Sequence, residues 1–145
     1  MTGVCSAANA DLVTSIGAQR TIDYATQDFA QTGDQYDIVV DTIGNAPYRR
    51  SRGALAPGGR LALVLSTLGD LIAAPFISMR GKHKVIAGPT SGSREDLHFL
   101  AGLAESGAYR PVIDKVYRFD QMAEAHRRVE SGRKRGNVVV TVNPA

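Results

Sequence analysis

The side chains that could carry out chemistry unaided are few in this chain of 145 residues. It has one cysteine, Cys5, and three histidines, His83, His98 and His126. A nucleophilic cysteine needs a neighbouring histidine or a lowered pKa, and a zinc site needs several ligands at short, regular spacing. The sequence around these four residues has neither pattern. We therefore expect no catalytic residue and no metal site, and we expect Cys5 to be a small packing residue.

A second kind of chemistry, ligand binding at strand ends, is indicated by two apolar runs. One extends from Tyr36 to Gly44 and the other from Leu55 to Val64, with a helix-like segment between them. This order is typical of a parallel sheet whose carboxyl-terminal strand ends hold a nucleotide. The chain has no Gly-x-Gly-x-x-Gly loop and no strand ahead of one. The part of such a site that cradles phosphate is therefore not predicted within these residues.

Apolar runs alternate with helical patterns along the whole chain. The first helix carries Leu12 and Ile16 on one face, with Ser6 or Asn9 as its N-cap and Gly17 at its C-terminal end. Strands are predicted at residues 1–5, 21–24, 37–41, 60–65, 84–88, 112–117 and 137–142. We predict an α/β fold, a Rossmann-like, doubly wound, mostly parallel sheet that lacks its first strand and glycine-rich turn.

Two segments have less regular patterns. Asn45 and Pro47 begin a helix that is expected to include Leu55 and to stop at the sequence Pro57-Gly58-Gly59. Residues 66–82 are apolar but punctuated by glycine. We expect them to expose apolar surface and to contact another copy of the chain.

Length and composition exclude several classes of protein. A chain of this length with 43% hydrophobic residues can bury one core, so one domain is expected. No run of 18 apolar residues occurs and no secretory signal begins the chain, which leaves a cytoplasmic location as the default and a membrane partner unsupported. A basic cluster at residues 127–135 is expected to be a solvated surface, because no aromatic residues accompany it and no nucleic-acid motif is present.

Short motifs occur in an order that is similar to a known family. They are Thr2-Gly3-Val4-Cys5-Ser6, Leu12-Val13, Ile16-Gly17-Ala18, Ile22-Asp23-Tyr24, Asp41-Thr42-Ile43-Gly44, Pro57-Gly58-Gly59, Pro111-Val112-Ile113-Asp114 and Gly136-Asn137-Val138-Val139-Val140. Together they resemble the nucleotide-binding domain of medium-chain dehydrogenases/reductases, closest to the zinc-independent, quinone oxidoreductase-like branch. The resemblance implies that residues 1–145 are a truncated dinucleotide-binding domain. Its C-terminal segment packs in relatives with a catalytic domain that these residues do not include.

The resemblance also implies a cofactor. Relatives hold the adenosine ribose after the second strand of the domain, where NAD-preferring folds place an acid that binds the 2′-hydroxyl. Residues 5–8 here contain no acid, and the hydroxyls of Ser6 and Tyr24 resemble the family's phosphate contacts. NADPH is therefore expected over NADH. Relatives often add a basic residue near Ala8 that this chain lacks, and a neutral pair of hydroxyls binds phosphate less strongly.

Five further residues are assigned to the cofactor by the same resemblance. Thr42 and Gly44 match positions beside the nicotinamide ribose, where a small residue allows close approach to the backbone. Leu65 and Ser66 match the next strand end, which faces the nicotinamide ring in relatives. Asn137 matches a residue near the nicotinamide side.

Three hypotheses for function follow. The first is the nucleotide-binding portion of an NADPH-dependent oxidoreductase, a quinone or enone reductase or a related alcohol dehydrogenase, inactive by itself. The second is a non-catalytic module for binding or oligomerisation. The third, less favoured, is a methyltransferase-like domain, which shares the two apolar runs but needs acidic positions that are absent here. Homodimerisation is expected, because a missing first strand leaves two strand edges unpaired. Residues 137–142, or a strand of a second copy, are expected to fill that gap.

Overall fold

The structure is a computed structural model that describes residues 1–88 and 92–142. It divides into two compact units, Met1–Ser91 and Gly92–Ala145, and each is described by itself. All strand pairs in both units are parallel. This confirms the α/β class with parallel sheets that the sequence predicts.

The described residues of the first unit form five strands and three α-helices. The strands form two sheets, with the order β1-β2 in one and β3-β4-β5 in the other. In chain order the elements are β1 (Thr2–Cys5), α1 (Ala10–Ser15), β2 (Arg20–Asp23), β3 (Tyr36–Asp41), α2 (Tyr48–Ser51), β4 (Leu55–Leu63), α3 (Leu68–Arg80) and β5 (Lys84–Ala87).

Two apolar clusters hold the first unit together. Leu61 and Leu63 of β4 and Val85 of β5 are buried beneath Ala74 of α3; full burial of a residue such as Leu61 stabilises the fold by roughly 1.5–3 kcal/mol. The second cluster consists of Ile22, Phe29, Ala46 and Ala54, and Val39 of β3 packs against both clusters. Because Ile22 belongs to β2, this second cluster joins the two sheets of the unit.

The second unit contains α4 (Arg94–Glu105), β6 (Ile113–Arg118), α5 (Met122–Glu130) and β7 (Asn137–Thr141). Strand β6 pairs with β7, and Tyr117 and Ala125 are buried. The carboxylate of Asp114 accepts two hydrogen bonds from the Arg128 guanidinium, at 2.7 and 2.8 Å. It accepts a third from the backbone N–H of Arg135, at 3.1 Å. This cluster ties β6 to α5 and to the loop before β7.

Residues 66–82, whose sequence pattern is irregular, contain the helix α3. Thr67 is its N-cap: the backbone N–H of Asp70 donates to the Thr67 hydroxyl at 3.3 Å, and the backbone N–H of Thr67 donates to the Asp70 carboxylate at 2.9 Å. This capping box satisfies two N–H groups that a helix end leaves without partners. The glycines make the sequence pattern irregular, but the segment is a regular helix. Its inward face, at Ala74 and Ile77, packs on β4 and β5.

The expected helix through Leu55 is wrong, because α2 ends at Ser51 and β4 already begins at Leu55. Leu55 is 2% exposed, and the backbone N–H of Tyr36 donates a hydrogen bond to the Ala54 carbonyl oxygen at 2.7 Å. The sequence Pro57-Gly58-Gly59 lies within β4, where the register with β3 shifts. A Cβ on Gly59 would lie 2.8 Å from the Ala56 carbonyl oxygen, so the glycine is required by close packing of the backbone.

One other expectation is also wrong, because neither Ser6 nor Asn9 caps a helix N-terminus with its side chain. Within the second unit, residues 137–141 pair with β6, and the filling of the gap beside β1 and β3 stays a prediction.

Candidate functional site

The first part of the candidate site lies where β1 and β2 end. Cys5 and Asp23 are paired in register, and the backbone N–H of Tyr24 donates to the Cys5 carbonyl at 3.2 Å. This bond brings Tyr24 beside Ser6. The Tyr24 side chain is 63% exposed, and the Ser6 hydroxyl makes no capping bond. Ser6 and Tyr24 therefore follow the carboxyl-terminal ends of two paired strands.

The second part of the site is the loop that follows β3, and Asp41 holds it. One carboxylate oxygen of Asp41 accepts hydrogen bonds from the backbone N–H groups of Ile43 at 3.0 Å and Gly44 at 2.9 Å. The other oxygen accepts one from Ala46 at 2.8 Å. Asp41 is only 5% exposed. A buried carboxylate with three backbone donors fixes the path of the loop after the strand.

The pKa of Asp41 reflects two opposing effects. Burial alone would raise the pKa of this carboxyl. The hydrogen bonds from the backbone N–H groups of Ala46, Ile43, Gly44 and Asn45 outweigh burial, so the pKa lies below its ordinary value of 3.8. Asp41 is therefore charged at neutral pH.

The loops after β3 and β4 lie against each other. The backbone N–H of Val64 donates to the Asp41 carbonyl at 2.9 Å. Gly44 has a φ of +83°, and a Cβ placed on it would lie 3.3 Å from the Leu65 Cβ. The positive φ and the close approach both favour glycine here. Gly44 thus lies against Leu65, with Thr42 two residues before Gly44 and Ser66 directly after Leu65 in the chain.

Asn137 lies in the second unit, at the amino-terminal end of β7. Its backbone N–H donates to the Val112 carbonyl at 2.7 Å, and its side-chain amide donates to the same oxygen at 3.3 Å. The other sequence-predicted residues all belong to the first unit. The role of Asn137 stays a prediction.

Asp41 is the residue that sequence reasoning missed. The strand motif includes Asp41 but does not by itself predict a role for its carboxylate. The signal was present, since an aspartate followed by Gly44 and Asn45 at a strand end is typical of a side chain that bonds to the backbone ahead of it. His83 is bonded to the Tyr48 hydroxyl at 3.2 Å, a contact that belongs to packing around α2.

Within residues 1–88 and 92–142, no group of three or more His, Cys, Asp or Glu side chains is placed to hold an ion. In the same ranges, no helix is both long and apolar enough to cross a membrane.

The sequence is similar to a family of dehydrogenases and to individual oxidoreductases. The family model described as zinc-binding dehydrogenase matches residues 16–140. A trans-enoyl reductase of Penicillium oxalicum is 30% identical over 166 aligned residues, which cover 96% of this chain and 42% of that protein. A mitochondrial NAD(P)H oxidoreductase of Homo sapiens is 26% identical, over 98% of this chain and 41% of that protein.

The fold is also similar to that of solved structures. The quinone oxidoreductase of Coxiella burnetii matches 98% of this chain with a TM-score of 0.78 and 22% identity, over 44% of its own length. The chain therefore spans about two fifths of the length of the proteins that it matches.

Proposed function

Because the chain belongs to the zinc-binding dehydrogenase family of medium-chain dehydrogenases/reductases, we propose that it is the nucleotide-binding portion of an NADPH-dependent oxidoreductase. In such an enzyme the cofactor supplies the hydride, and the protein binds and orients it. The substrate class we propose is a quinone, an enone or a related carbonyl compound. The names of a trans-enoyl reductase and a quinone oxidoreductase among the similar proteins support this class.

The observation that carries the proposal is the position of the candidate residues. Ser6 and Tyr24 follow the carboxyl-terminal ends of β1 and β2, and Thr42 and Gly44 follow that of β3. Leu65 lies against Gly44 just after β4. In open α/β sheets, ligands bind outside the carboxyl-terminal ends of the strands. Two neighbouring groups of residues at such ends could hold the two halves of one dinucleotide.

The preference for NADPH rests on the end of β1. No acid occupies residues 5–8, so these residues themselves present no like charge to a 2′-phosphate. The hydroxyls of Ser6 and Tyr24 can each donate a hydrogen bond to a phosphate oxygen. The nearby Asp23 side chain accepts from the backbone N–H of Ala25 at 3.0 Å, which gives its carboxylate a local partner.

Binding by residues 1–145 alone is expected to be weak. They include no glycine-rich turn that would bring backbone N–H groups to the pyrophosphate. Titration calorimetry with NADPH and NADH tests this. We expect no binding at micromolar concentrations, and NADPH preferred where heat is detected at millimolar concentrations. Micromolar binding of NADPH would contradict the first expectation, and a preference for NADH would contradict the assignment of Ser6 and Tyr24.

Catalysis by residues 1–145 alone is expected to be absent. Among the described residues of the candidate site, no histidine or metal group is in a position to transfer protons, and residues 1–145 do not themselves include a domain that would enclose a substrate. The loss of NADPH absorbance with a panel of quinones and enones is the measurement. Robust turnover that disappears in Thr42→Arg would contradict this reading and would place an active site at the end of β3.

We also propose self-association through the outer side of α3. Leu68, Ile72, Phe76 and Met79 are spaced three or four residues apart and are 59–84% exposed, as an apolar interface stripe would be. Sedimentation velocity is expected to show a dimer that Phe76→Asp dissociates. The matched control is Phe99→Asp, because Phe99 is similarly exposed, at 66%, on α4. A monomer at all concentrations would contradict self-association.

The cytoplasmic location stays a prediction. The similar human protein is named as mitochondrial, so fractionation of the cells that make this protein is the experiment that decides between the two.

A further inference from the structure

A single arginine side chain connects two loops of the candidate site. Arg50 lies on α2, and its guanidinium donates a hydrogen bond to the backbone carbonyl of Asn45 at 2.9 Å. Its other terminal nitrogen donates to the Asp28 carboxylate at 3.0 Å. Asn45 belongs to the loop after β3, and Asp28 follows β2 by five residues. Arg50 therefore joins two segments that follow strands of different sheets.

An aromatic ring holds the Arg50 guanidinium on a third side. The central carbon of the guanidinium lies 5.4 Å from the centre of the Phe29 ring, which is within the range of a cation–π contact. Phe29 is 9% exposed and belongs to the apolar cluster that joins the two sheets of the first unit. A guanidinium is planar and presents its donors as a fixed fork, which the ammonium of a lysine does not reproduce. The residue type thus suits a contact with both loops at once.

Each of the two loops is held in shape by its own hydrogen bonds. In the loop after β2, which carries Tyr24, the backbone N–H groups of Thr26 and Gln27 donate to the Asp23 carbonyl at 3.1 and 2.9 Å. In the loop after β3, the Asp41 carboxylate accepts hydrogen bonds from three backbone N–H groups. Because each loop keeps its own shape, a directional contact between them sets the position of one relative to the other.

The fold does not depend on this contact. The side chains of Arg50 and Asp28 are 40% and 30% exposed, and ion pairs with this much exposure contribute little to global stability. The packing of Ile22 with Phe29 and Ala46 holds the two sheets together without Arg50, but apolar contacts are non-directional. Loss of the Arg50 side chain is therefore expected to leave the fold intact and to change the placement of the loops.

We propose that Arg50 is a positioning residue for the dinucleotide: it places the loop with Thr42 and Gly44 relative to the loop with Tyr24, so that both loops engage one ligand. This inference rests on the proposed function, in which the two loops hold the two halves of NADPH. When two parts of one ligand bind at two places, the second contact is intramolecular, and its advantage depends on the spacing of the two places. Arg50 therefore strengthens the binding of the whole dinucleotide without strengthening the binding of either half alone.

A double-mutant cycle of NMR chemical shifts tests the connection between the loops without any cofactor. The Asn45 carbonyl and the Ala46 N–H belong to one peptide group, so the Ala46 amide resonance responds to the contact with Arg50. We expect Asp28→Asn to shift this resonance in the wild type and to shift it less than about a third as much in Arg50→Ala. Equal shifts in the two backgrounds would show that Arg50 does not connect the loops, and they would overturn the proposal.

Titration with NADPH and with its two halves tests the role in binding. The halves are adenosine 2′,5′-bisphosphate and nicotinamide mononucleotide, and NMR follows each ligand at millimolar concentrations. In Arg50→Ala we expect the affinity for NADPH to fall about threefold to tenfold and the affinity for each half to change less than about twofold. Arg50→Lys keeps the charge but not the fork, so it should behave as Arg50→Ala does. The matched control is Arg49→Ala, at the exposed neighbour on α2, and it should leave all three affinities unchanged.

Two binding results would also overturn the proposal. Equal weakening of NADPH and of one half in Arg50→Ala would show that Arg50 acts on one loop and not on the spacing between them. Full affinity for NADPH in Arg50→Lys would show that the charge of Arg50 attracts phosphate. If NADPH shifts no amide of the wild type, the proposed function fails and the role in binding fails with it, whereas the chemical-shift cycle decides independently whether Arg50 connects the loops.

Discussion

Replacing Asp41 with asparagine tests whether one buried carboxylate organises the loop at the end of β3. The amide oxygen of asparagine can take the place of the oxygen that bonds to Ile43 and Gly44, at 3.0 and 2.9 Å. The amide nitrogen would then face the backbone N–H of Ala46, where the second carboxylate oxygen now accepts at 2.8 Å. Two donors would face each other in a site that is 5% exposed.

The expected loss of stability follows from these contacts. A hydrogen bond to a charged group contributes about 1.5–3 kcal/mol, and an unpaired buried donor adds a desolvation penalty of similar size. We therefore expect Asp41→Asn to lower the free energy of unfolding by about 2 kcal/mol. With a typical urea dependence, the midpoint of unfolding should fall by about 1 M. The control is Asp37→Asn, an exposed residue on the same strand, which should shift the midpoint by less than about 0.3 M.

The pH dependence of this difference adds a second check. The pKa of Asp41 is lowered in the folded state, so its contribution is fully present above the ordinary value of 3.8 and is lost as the pH falls below that value. The difference in stability between the wild type and Asp41→Asn should therefore be constant near neutral pH and shrink below pH 3.8. A difference that does not change on acidification, or an Asp41→Asn midpoint equal to that of Asp37→Asn, would refute the reasoning.

Three further predictions concern other parts of the fold. Gly44→Ala should lower the free energy of unfolding by about 2 kcal/mol and Gly33→Ala by about 1 kcal/mol. Both glycines have a positive φ, but of the two only Gly44 would place a Cβ against another side chain, that of Leu65. Equal losses of unfolding free energy for the two variants in urea titrations would contradict this reasoning. The Arg128 guanidinium and the Arg135 backbone N–H lower the pKa of Asp114 to about 2, so this carboxylate stabilises the second unit above pH 3.8 and stops doing so as the pH falls towards 2. The loss of circular dichroism signal as the pH falls between these two values should thus be less steep in Asp114→Asn than in the wild type. An unchanged slope would count against the contact between Asp114 and Arg128. Thr67→Ala should destabilise α3 by about 1 kcal/mol through loss of its N-cap, and amide exchange in the first turn should be faster; unchanged exchange would show that the cap contributes little.

The succession of strands along the chain and the family could be predicted from the sequence because both depend on local patterns, whereas the division of the strands into three sheets could not. The strand predicted at residues 37–41 ends at Asp41, as β3 does, and the strand predicted at residues 21–24 ends one residue after β2. The parallel pairing also follows, since strands separated by helical segments are joined by crossovers. The family model matches residues 16–140, a range that includes the motifs from Ile16-Gly17-Ala18 to Gly136-Asn137-Val138-Val139-Val140.

The helix boundaries could not be predicted, because they depend on contacts with distant residues. Leu55 has helical spacing from Tyr48, yet burial against α3 and the register with β3 place it in a strand. Residues 68–80 contain a glycine and Pro75, which both disfavour a helix locally. Packing on β4 and β5 outweighs these preferences, and only the tertiary structure contains that information.

The candidate site was only partly predictable for a related reason. Sequence motifs located the strand ends, and the structure adds that Gly44 lies against Leu65 and that Tyr24 lies beside Ser6. The Asp41 carboxylate holds the loop after β3 only because it is buried and because the following turn aims backbone N–H groups at it. The local sequence does not fix that burial. Asn137 belongs to the second unit, so its relation to the other residues is a matter for experiment.

The most direct test of the central claim is to map NADPH binding by two-dimensional NMR on the chain labelled with nitrogen-15. Millimolar concentrations suit the weak binding that we expect for residues 1–145. NADPH should shift two groups of backbone amides at the strand ends, and NADH should leave the first group, at the end of β1 and β2, nearly unchanged. These groups are Ser6 with Tyr24, and Thr42, Gly44, Leu65 and Ser66. Shifts confined to other surfaces, or equal shifts of Ser6 and Tyr24 with NADH, would contradict the account.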